Sequence, residues 1–215
     1  MKTNERNLFL EIIHEVKNSA GILHGLMELL KRNLKNEDRR LAEEISSEIT
    51  HLSHSLKRSL PLVNPRELSV SPIQITELLN RVLFLAQEYL RKNRITLEKR
   101  YKKVLPEVKG DPELLQEAFL NLLSNGIEQM PKGERFIIAV FPKGSSLHVE
   151  FIDSGPGIPR ENLTKIFTPF FSTKKEGLGL GLSLVQKIIK RHKGKITVES
   201  EEGKGSRFII SLPLS

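Results

Sequence analysis

The chain contains no cysteine, which excludes disulfides and zinc sites built on thiolates and leaves a reducing compartment compatible with it. Long apolar runs are missing as well. None approaches the roughly 18 residues that a membrane span needs, and the start Met1-Lys2-Thr3-Asn4-Glu5-Arg6 lacks a signal-peptide core. The expectation is a soluble chain, without internal repeats or low-complexity segments. Hydrophobic residues make up 38% of the 215, enough for a real core in one large domain or two small ones. The formal charge of +8 is unevenly spread. Residues up to Asn64 hold 10 basic and 9 acidic side chains, and the rest 24 against 17, a surplus of +7. A basic C-terminal portion suits a nucleic acid, an acidic protein or a polyphosphate ligand.

Proline is also absent from the first element, where helix-period apolar residues run from about Thr3 to Leu34. Leu8, Ile12, Val16, Leu23 and Leu30 form its stripe. After the polar break from Asn33 to Asp38, a second helical run passes through Leu41, Ile45, Ile49, Leu52, Leu56 and Leu60. Two long helices with a short connection form an antiparallel hairpin. One hairpin buries its stripe poorly, so pairing with a second copy into a four-helix bundle is expected. Pro61-Leu62-Val63-Asn64-Pro65 and then Ser71-Pro72 cannot continue a helix and read as a linker.

Beyond it the pattern turns mixed. Thr76 to Lys92 reads as a helix and Ile95 to Tyr101 as a strand. Asp111-Pro112-Glu113 starts a helix with an N-cap acid, a proline in the first turn and an acid behind it, and Pro131-Lys132-Gly133 ends it. Phe136–Phe141 and Leu147–Asp153 are predicted strands around the turn Pro142-Lys143-Gly144-Ser145. A helix from about Leu180 to His192 and strands near Ile196–Glu199 and Arg207–Leu212 complete an α+β sandwich. Its helices are expected on one face of a mainly antiparallel sheet.

Five stretches carry chemistry. His14-Glu15-Val16-Lys17-Asn18 places an imidazole, an adjacent acid and, four residues on, an amide that shares the histidine's helical face. Asn121 and Asn125 are also four apart, and neutral oxygen donors are what magnesium accepts when phosphate supplies the negative charge. Asp153-Ser154-Gly155-Pro156-Gly157 ends a strand with a carboxylate able to accept from an exocyclic amine, and its glycines let backbone approach a flat ring. Gly177-Leu178-Gly179-Leu180-Gly181 leads into a helix, whose exposed amides bind phosphate. Ile166 to Lys175 is an aromatic hinge with a basic end; between two phosphate-binding signals it looks like a lid.

In this order, these stretches resemble the H, N, G1, F and G2 boxes of two-component sensor histidine kinases. The His-Glu-x-x-Asn form and the short Pro169-Phe170-Phe171-Ser172-Thr173-Lys174 segment look closest to the nitrogen-regulation-like branch. The resemblance covers nearly the whole chain. It implies a hairpin forming a dimeric four-helix bundle at 1–62, a linker at 63–71, and at 72–215 an ATP-binding domain of the histidine kinase/Hsp90-like ATPase type. It further implies that His14 is the phosphoacceptor, Glu15 its general base, and Asn18 the group that positions water for phosphatase action. Asn125 would ligate magnesium, Asn121 would sit beside the phosphates, and Asp153 would bond the adenine amine. Gly155 and Gly157 would shape the adenine pocket, Gly177, Gly179 and Gly181 would wrap the triphosphate, and Lys174 would meet the γ-phosphate. The implied cofactors are ATP and magnesium. The implied partners are a second copy and the receiver domain of a response regulator, with no nucleic acid. The implied location is cytoplasmic, as a whole kinase or as the cytoplasmic part of a longer membrane-bound sensor.

The sequence departs from the pattern at three places. Ser19 stands where many relatives have proline, Leu178 replaces the usual Thr or Ser between the first two glycines, and Glu128 lies where some relatives carry a basic residue near the nucleotide. Two other functions compete. An ATP hydrolase of the same fold would want a glutamate four residues before the metal asparagine, where this chain has Asn121. A non-enzymatic dimeric scaffold would bind ATP and magnesium without forming an acid-labile phosphoprotein.

Overall fold

The computed structural model describes residues 3–31, 34, 38–43, 45–46, 49, 67–174 and 179–214, with 3–15 and 17 described as backbone only. The chain divides into two compact units, Met1–Arg66 and Glu67–Ser215.

In the first unit, helix α1 spans Thr3–Lys31, and residues 32 and 33 of its expected end lie outside the described residues. Residues 38–43, 45–46 and 49 are helical again, and the remainder of the expected second helix, including Leu52, Leu56 and Leu60, lies outside the described residues. Ala20 and Ala42 are buried. By contrast Ile22, Leu23, Leu26, Leu29 and Leu30 on α1, with Leu41 and Ile45, are exposed.

The second unit is a five-stranded sheet in the order β2-β4-β5-β7-β6, with β2 at Thr96–Tyr101, β4 at Arg135–Lys143, β5 at Ser146–Asp153, β6 at Lys195–Glu201 and β7 at Gly205–Pro213. Every ladder is antiparallel except β2–β4 at one edge. Alternation along each strand sends Phe136, Ile138, Val140, Val149, Phe151, Phe208 and Ile210 to one buried face. Helices α2 (Ile75–Lys92), α3 (Pro112–Gln129) and α5 (Gly181–Arg191) bring Leu78, Leu79, Val82, Leu115, Phe119, Leu122, Val185 and Ile189 to the core. The Phe119 ring sits 5.5 Å from that of Phe151. Gly126 lets α3 lie close to the sheet, since a Cβ there would come within 2.4 Å of the Phe136 ring. The opposite sheet face carries the sheet's polar groups among Ile137, Ala139, Ile152 and Ile209: buried Glu150 accepts from two nitrogens of Arg207, which also pairs with Glu199.

The start of α3 is as its sequence requires. Asp111 Oδ1 accepts from the amides of Glu113 and Leu114, both at 3.1 Å, with Pro112 in the first turn. The Asp111 amide in turn donates to buried His192 Nε2 at 2.8 Å, while His192 Nδ1 lies 2.8 Å from the Ile188 carbonyl. Nδ1 therefore carries the ring proton, and the imidazole ties the beginning of α3 to the end of α5.

Three elements differ from expectation. Ser71 and Pro72, read as linker, begin strand β1 (Ser71–Ile73), which pairs antiparallel with β3 (Val108–Gly110) in a separate two-stranded sheet. Proline is tolerated there because only one neighbour demands hydrogen bonds. Pro142 and Lys143 belong to β4, which leaves Gly144 and Ser145 as the hairpin turn, Gly144 at φ +59°. The short helix α4 (Arg160–Leu163) was not foreseen.

Candidate functional site

Gly181, the last glycine of the run, meets the two asparagines, while Gly155, beside the strand-end Asp153, packs against Gln129 and Met130 at the end of the asparagines' helix. Helix α5 begins at Gly181, and its N-cap is Leu180, which has no side chain able to cap. The first amides of a helix have no partner inside it, so this end presents donors that its N-cap side chain does not satisfy, together with the positive end of the helix dipole. Asn121 and Asn125 face it from α3. A Cβ on Gly181 would stand 3.1 Å from Asn121 Oδ1 and 3.6 Å from Asn125 Nδ2, so a side chain there would press on the first amide and touch the second. Asn121, only 6% exposed, donates through Nδ2 to the Glu117 carbonyl at 2.9 Å, which turns Oδ1 towards α5. Ser183 is occupied within its own helix, donating to the Leu180 carbonyl.

Asp153 ends β5, buried to 7% exposure. Its Oδ1 accepts from the amides of Gly155 at 3.0 Å and Ser206 at 3.2 Å. Burial holds this carboxyl above the usual aspartate range, although those amides pull it the other way. Both bonds fall on one oxygen, so the carboxylate is oriented by the fold and Oδ2 is the atom suited to accept from a ligand. Gly155 lies against that side chain and Met130. Gly157, at φ +75°, lies against the Glu201 carbonyl, where a Cβ would come within 2.1 Å.

Sequence reading missed the residues that hold Asp153 from β7. Ser206 supplies an amide, and Gly205, at φ +88°, leaves room for the Asp153 carbonyl, which a Cβ would meet at 2.0 Å. The glycines at 203 and 205 were the available signal. Gly179, at φ +64°, packs against the backbone of Phe170 and Phe171, and its carbonyl accepts from the Phe170 amide at 3.0 Å. This bond joins the aromatic hinge to the glycine run. Gly177 and Leu178 lie outside the described residues.

Lys174 is bonded to the carboxylate of Glu128, on the last turn of α3. Glu128 also accepts from the hydroxyl of Tyr89 on α2. Burial, with the Glu128 charge and this bond, pushes that hydroxyl up to about 12, so it serves as a donor. No sequence pattern links these three positions.

In the first unit, the backbone at His14 and Glu15 is helical, their side chains lie outside the described residues, and the side chain of Asn18 is exposed. No group of three or more His, Cys, Asp or Glu side chains able to hold a metal occurs among the described residues. A metal here would need neutral amides and ligand oxygens. The amides of Asn121 and Asn125 fit magnesium brought with phosphate.

Helix amides without a side-chain cap, two side-chain amides facing them and an oriented carboxylate at a strand end are groups suited to a nucleotide, carried on an α/β sandwich. Residues 110–215 match the family described as histidine kinase-, DNA gyrase B-, and HSP90-like ATPase. Sensor histidine kinase ZraS of Escherichia coli (strain K12) is 32% identical over 206 residues, 95% of this chain and 44% of that protein. The nucleotide-free catalytic domain of histidine kinase ThkA is 34% identical with a TM-score of 0.62, over 69% of this chain and 96% of that one. Histidine kinase ThkA in complex with response regulator protein TrrA is 28% identical with a TM-score of 0.74, over 97% of this chain and 61% of that one. The chain belongs to this ATPase family, and its relatives there are sensor histidine kinases. It spans under half the length of ZraS. Among the described residues no helix is long and apolar enough to cross a membrane.

Proposed function

We propose that this chain is the core of a sensor histidine kinase of the nitrogen-regulation-like branch. It phosphorylates His14 from Mg-ATP and passes the phosphoryl group to an aspartate of a response regulator. The observation that carries the reading is the convergence of Asn121 and Asn125 on the uncapped start of α5. Phosphoryl transfer requires positioning and charge neutralisation more than covalent machinery, and this arrangement provides donors for phosphate oxygens. Asn125 would hold magnesium, which neutralises phosphate charge when bound. Asp153 accepts from the adenine amine, Gly155 and Gly157 make room for the ring, Gly179 and Gly181 with Gly177 surround the phosphates, and Lys174 meets the γ-phosphate. The neutral imidazole of His14 is a competent nucleophile near pH 7, and Glu15 takes its other ring proton. Asn121 stands where a hydrolase would keep its glutamate, and an amide cannot deprotonate water.

The reading assigns 1–62 to dimerisation and phosphotransfer, 63–71 to a linker and 72–215 to ATP binding, in a cytoplasmic setting. A response regulator as partner is supported by the ThkA–TrrA complex. The test is incubation with γ-labelled ATP and magnesium, scoring label that resists base and is lost in acid.

A homodimer follows from the exposed leucines and isoleucines of α1 together with Leu41 and Ile45, a contiguous apolar stripe that one hairpin leaves uncovered. Light scattering at micromolar concentration is expected to give twice the chain mass. A monomer overturns this part of the reading.

Asn18 is assigned to dephosphorylation of the regulator. It lies one turn from His14 on α1 and its side chain is exposed, and an amide can both donate to and accept from an attacking water. Asn18→Ala is expected to retain autophosphorylation while slowing loss of phosphate from the regulator by on the order of 10²-fold, the size of a lost positioning contribution. Parallel loss of both activities, or of neither, counts against the assignment.

A further inference from the structure

Helical spacing puts Glu128 on the turn after Asn125, beside the amides just described and facing Lys174. Nothing in the nucleotide reading calls for an acid there. Its charge opposes a triphosphate, yet it is held from two sides, by the Lys174 ammonium and by the Tyr89 hydroxyl. We propose that Glu128 is a specificity-determining residue that tells a nucleoside triphosphate from a diphosphate, by engaging through Lys174 the ammonium that a terminal phosphate would otherwise take. This rests on the reading of Lys174 as the γ-phosphate contact.

The chemistry is a competition between two anions for one cation. A carboxylate and a phosphate both offer an ammonium oxygen acceptors, and lysine, as a point charge on a flexible stem, exchanges them without the planar match that arginine demands. A diphosphate ends short of Lys174 and leaves the Glu128 pair intact. A triphosphate recruits the ammonium and strands the Glu128 carboxylate on Tyr89 alone. The cost of that exchange falls on the triphosphate only. The pair is partly open to water, with side-chain exposures of 30% for Lys174 and 43% for Glu128, so the effect is modest. Partly exposed pairs of this kind correspond to about two- to fivefold in affinity. Tyr89, anchored on α2, keeps the carboxylate in place for this role.

The test is calorimetric titration of the full chain with magnesium AMPPNP and, separately, magnesium ADP. Glu128→Gln keeps the shape and removes the charge. It is expected to tighten AMPPNP about two- to fivefold and to leave ADP unchanged. In a Lys174→Met background the same substitution is expected to change neither. Tyr89→Phe, which frees one side of the carboxylate without altering its charge, should shift AMPPNP affinity by less than Glu128→Gln and ADP not at all. Equal tightening of both nucleotides, weaker AMPPNP binding, or a gain that persists without Lys174 overturns the proposal, the last by showing plain through-space repulsion. The underlying reading fails separately: if Lys174→Met alone leaves AMPPNP affinity unchanged, Lys174 is no γ-phosphate contact and the proposal falls with it.

Discussion

Incubated with γ-labelled ATP and magnesium, the chain is expected to take up label that withstands base and is released by acid, and His14→Ala is expected to take up none. The loss is total because no second residue can substitute. A hydroxyl acceptor would give an acid-stable ester, and of the remaining histidines none has the adjacent acid that Glu15 provides. Of the alternatives, His192 is buried with both ring nitrogens engaged, to the Asp111 amide and the Ile188 carbonyl. His148 lies on the sheet face that carries Glu150 and Arg207, 3.2 Å from Ser211 Oγ. Its imidazole is held below the usual range by burial and by Lys143 and Arg207, against the pull of Glu150, so it is neutral but has no acid beside it in sequence. Glu15→Gln should keep the acceptor and slow its phosphorylation by roughly 10²–10⁴-fold, the usual contribution of a positioned base. Label retained by His14→Ala would sink the assignment of the phosphoacceptor.

Asp153→Ala and Asn125→Ala are expected to fail differently. Removing the carboxylate deletes the acceptor for the adenine amine, and a hydrogen bond to a charged group contributes about 1.5–3 kcal/mol, or roughly ten- to a hundredfold in affinity. The variant should therefore bind ATP and GTP alike. Asn125→Ala should keep its preference for adenine and lose the part of binding that depends on magnesium. The Asp153 effect has a pH signature. An acid stops accepting at Oδ2 once protonated, and burial has raised its pKa, so ATP affinity should decline on acidification from a higher pH than an ordinary aspartate would set. For stability the sign is reversed. The folded chain holds that proton more tightly than the unfolded one, so the residue's contribution is full below the unfolded value and is lost as pH rises through the folded one. Equal affinity of the unmutated chain for ATP and GTP would overturn the base-reading role.

Much of the second unit was readable because its signals are local. Asp111-Pro112-Glu113 caps a helix with its own atoms, and β7 alternates along its length while β4 shows itself by an unbroken apolar run from Phe136 to Phe141. The shared face of Asn121 and Asn125 was readable for the same reason, since spacing on a helix decides what shares a face. What escaped depends on distant partners. Ser71 and Pro72 pair with Gly110 and Lys109, a match that a three-residue strand cannot advertise. Helices α2 and α5 stop with Arg94 and Lys193 in left-handed conformations, at φ 55° and 56°, where a glycine would have marked the ends. The grip of Tyr89 and Lys174 on Glu128 joins three elements that approach one another only after the core has packed. Glu128 could be flagged in sequence as a departure, but not as half of an ion pair.

The order of strands also dictates an order of assembly. Two hairpins close over short loops, β4 on β5 across Gly144 and Ser145 and β6 on β7 across Glu202 to Lys204. They can form early, because short loops cost little entropy to close. The central ladder is different: Asp153 meets Ser206 across 53 residues, enclosing the aromatic hinge, the glycine run and α5. That join is also where the Ser206 amide takes hold of Asp153, so this carboxylate is oriented only when the two halves of the sheet meet. On the proposed reading, a partly folded chain would lack its adenine acceptor, and a nucleotide that binds the finished sheet would favour completed folding.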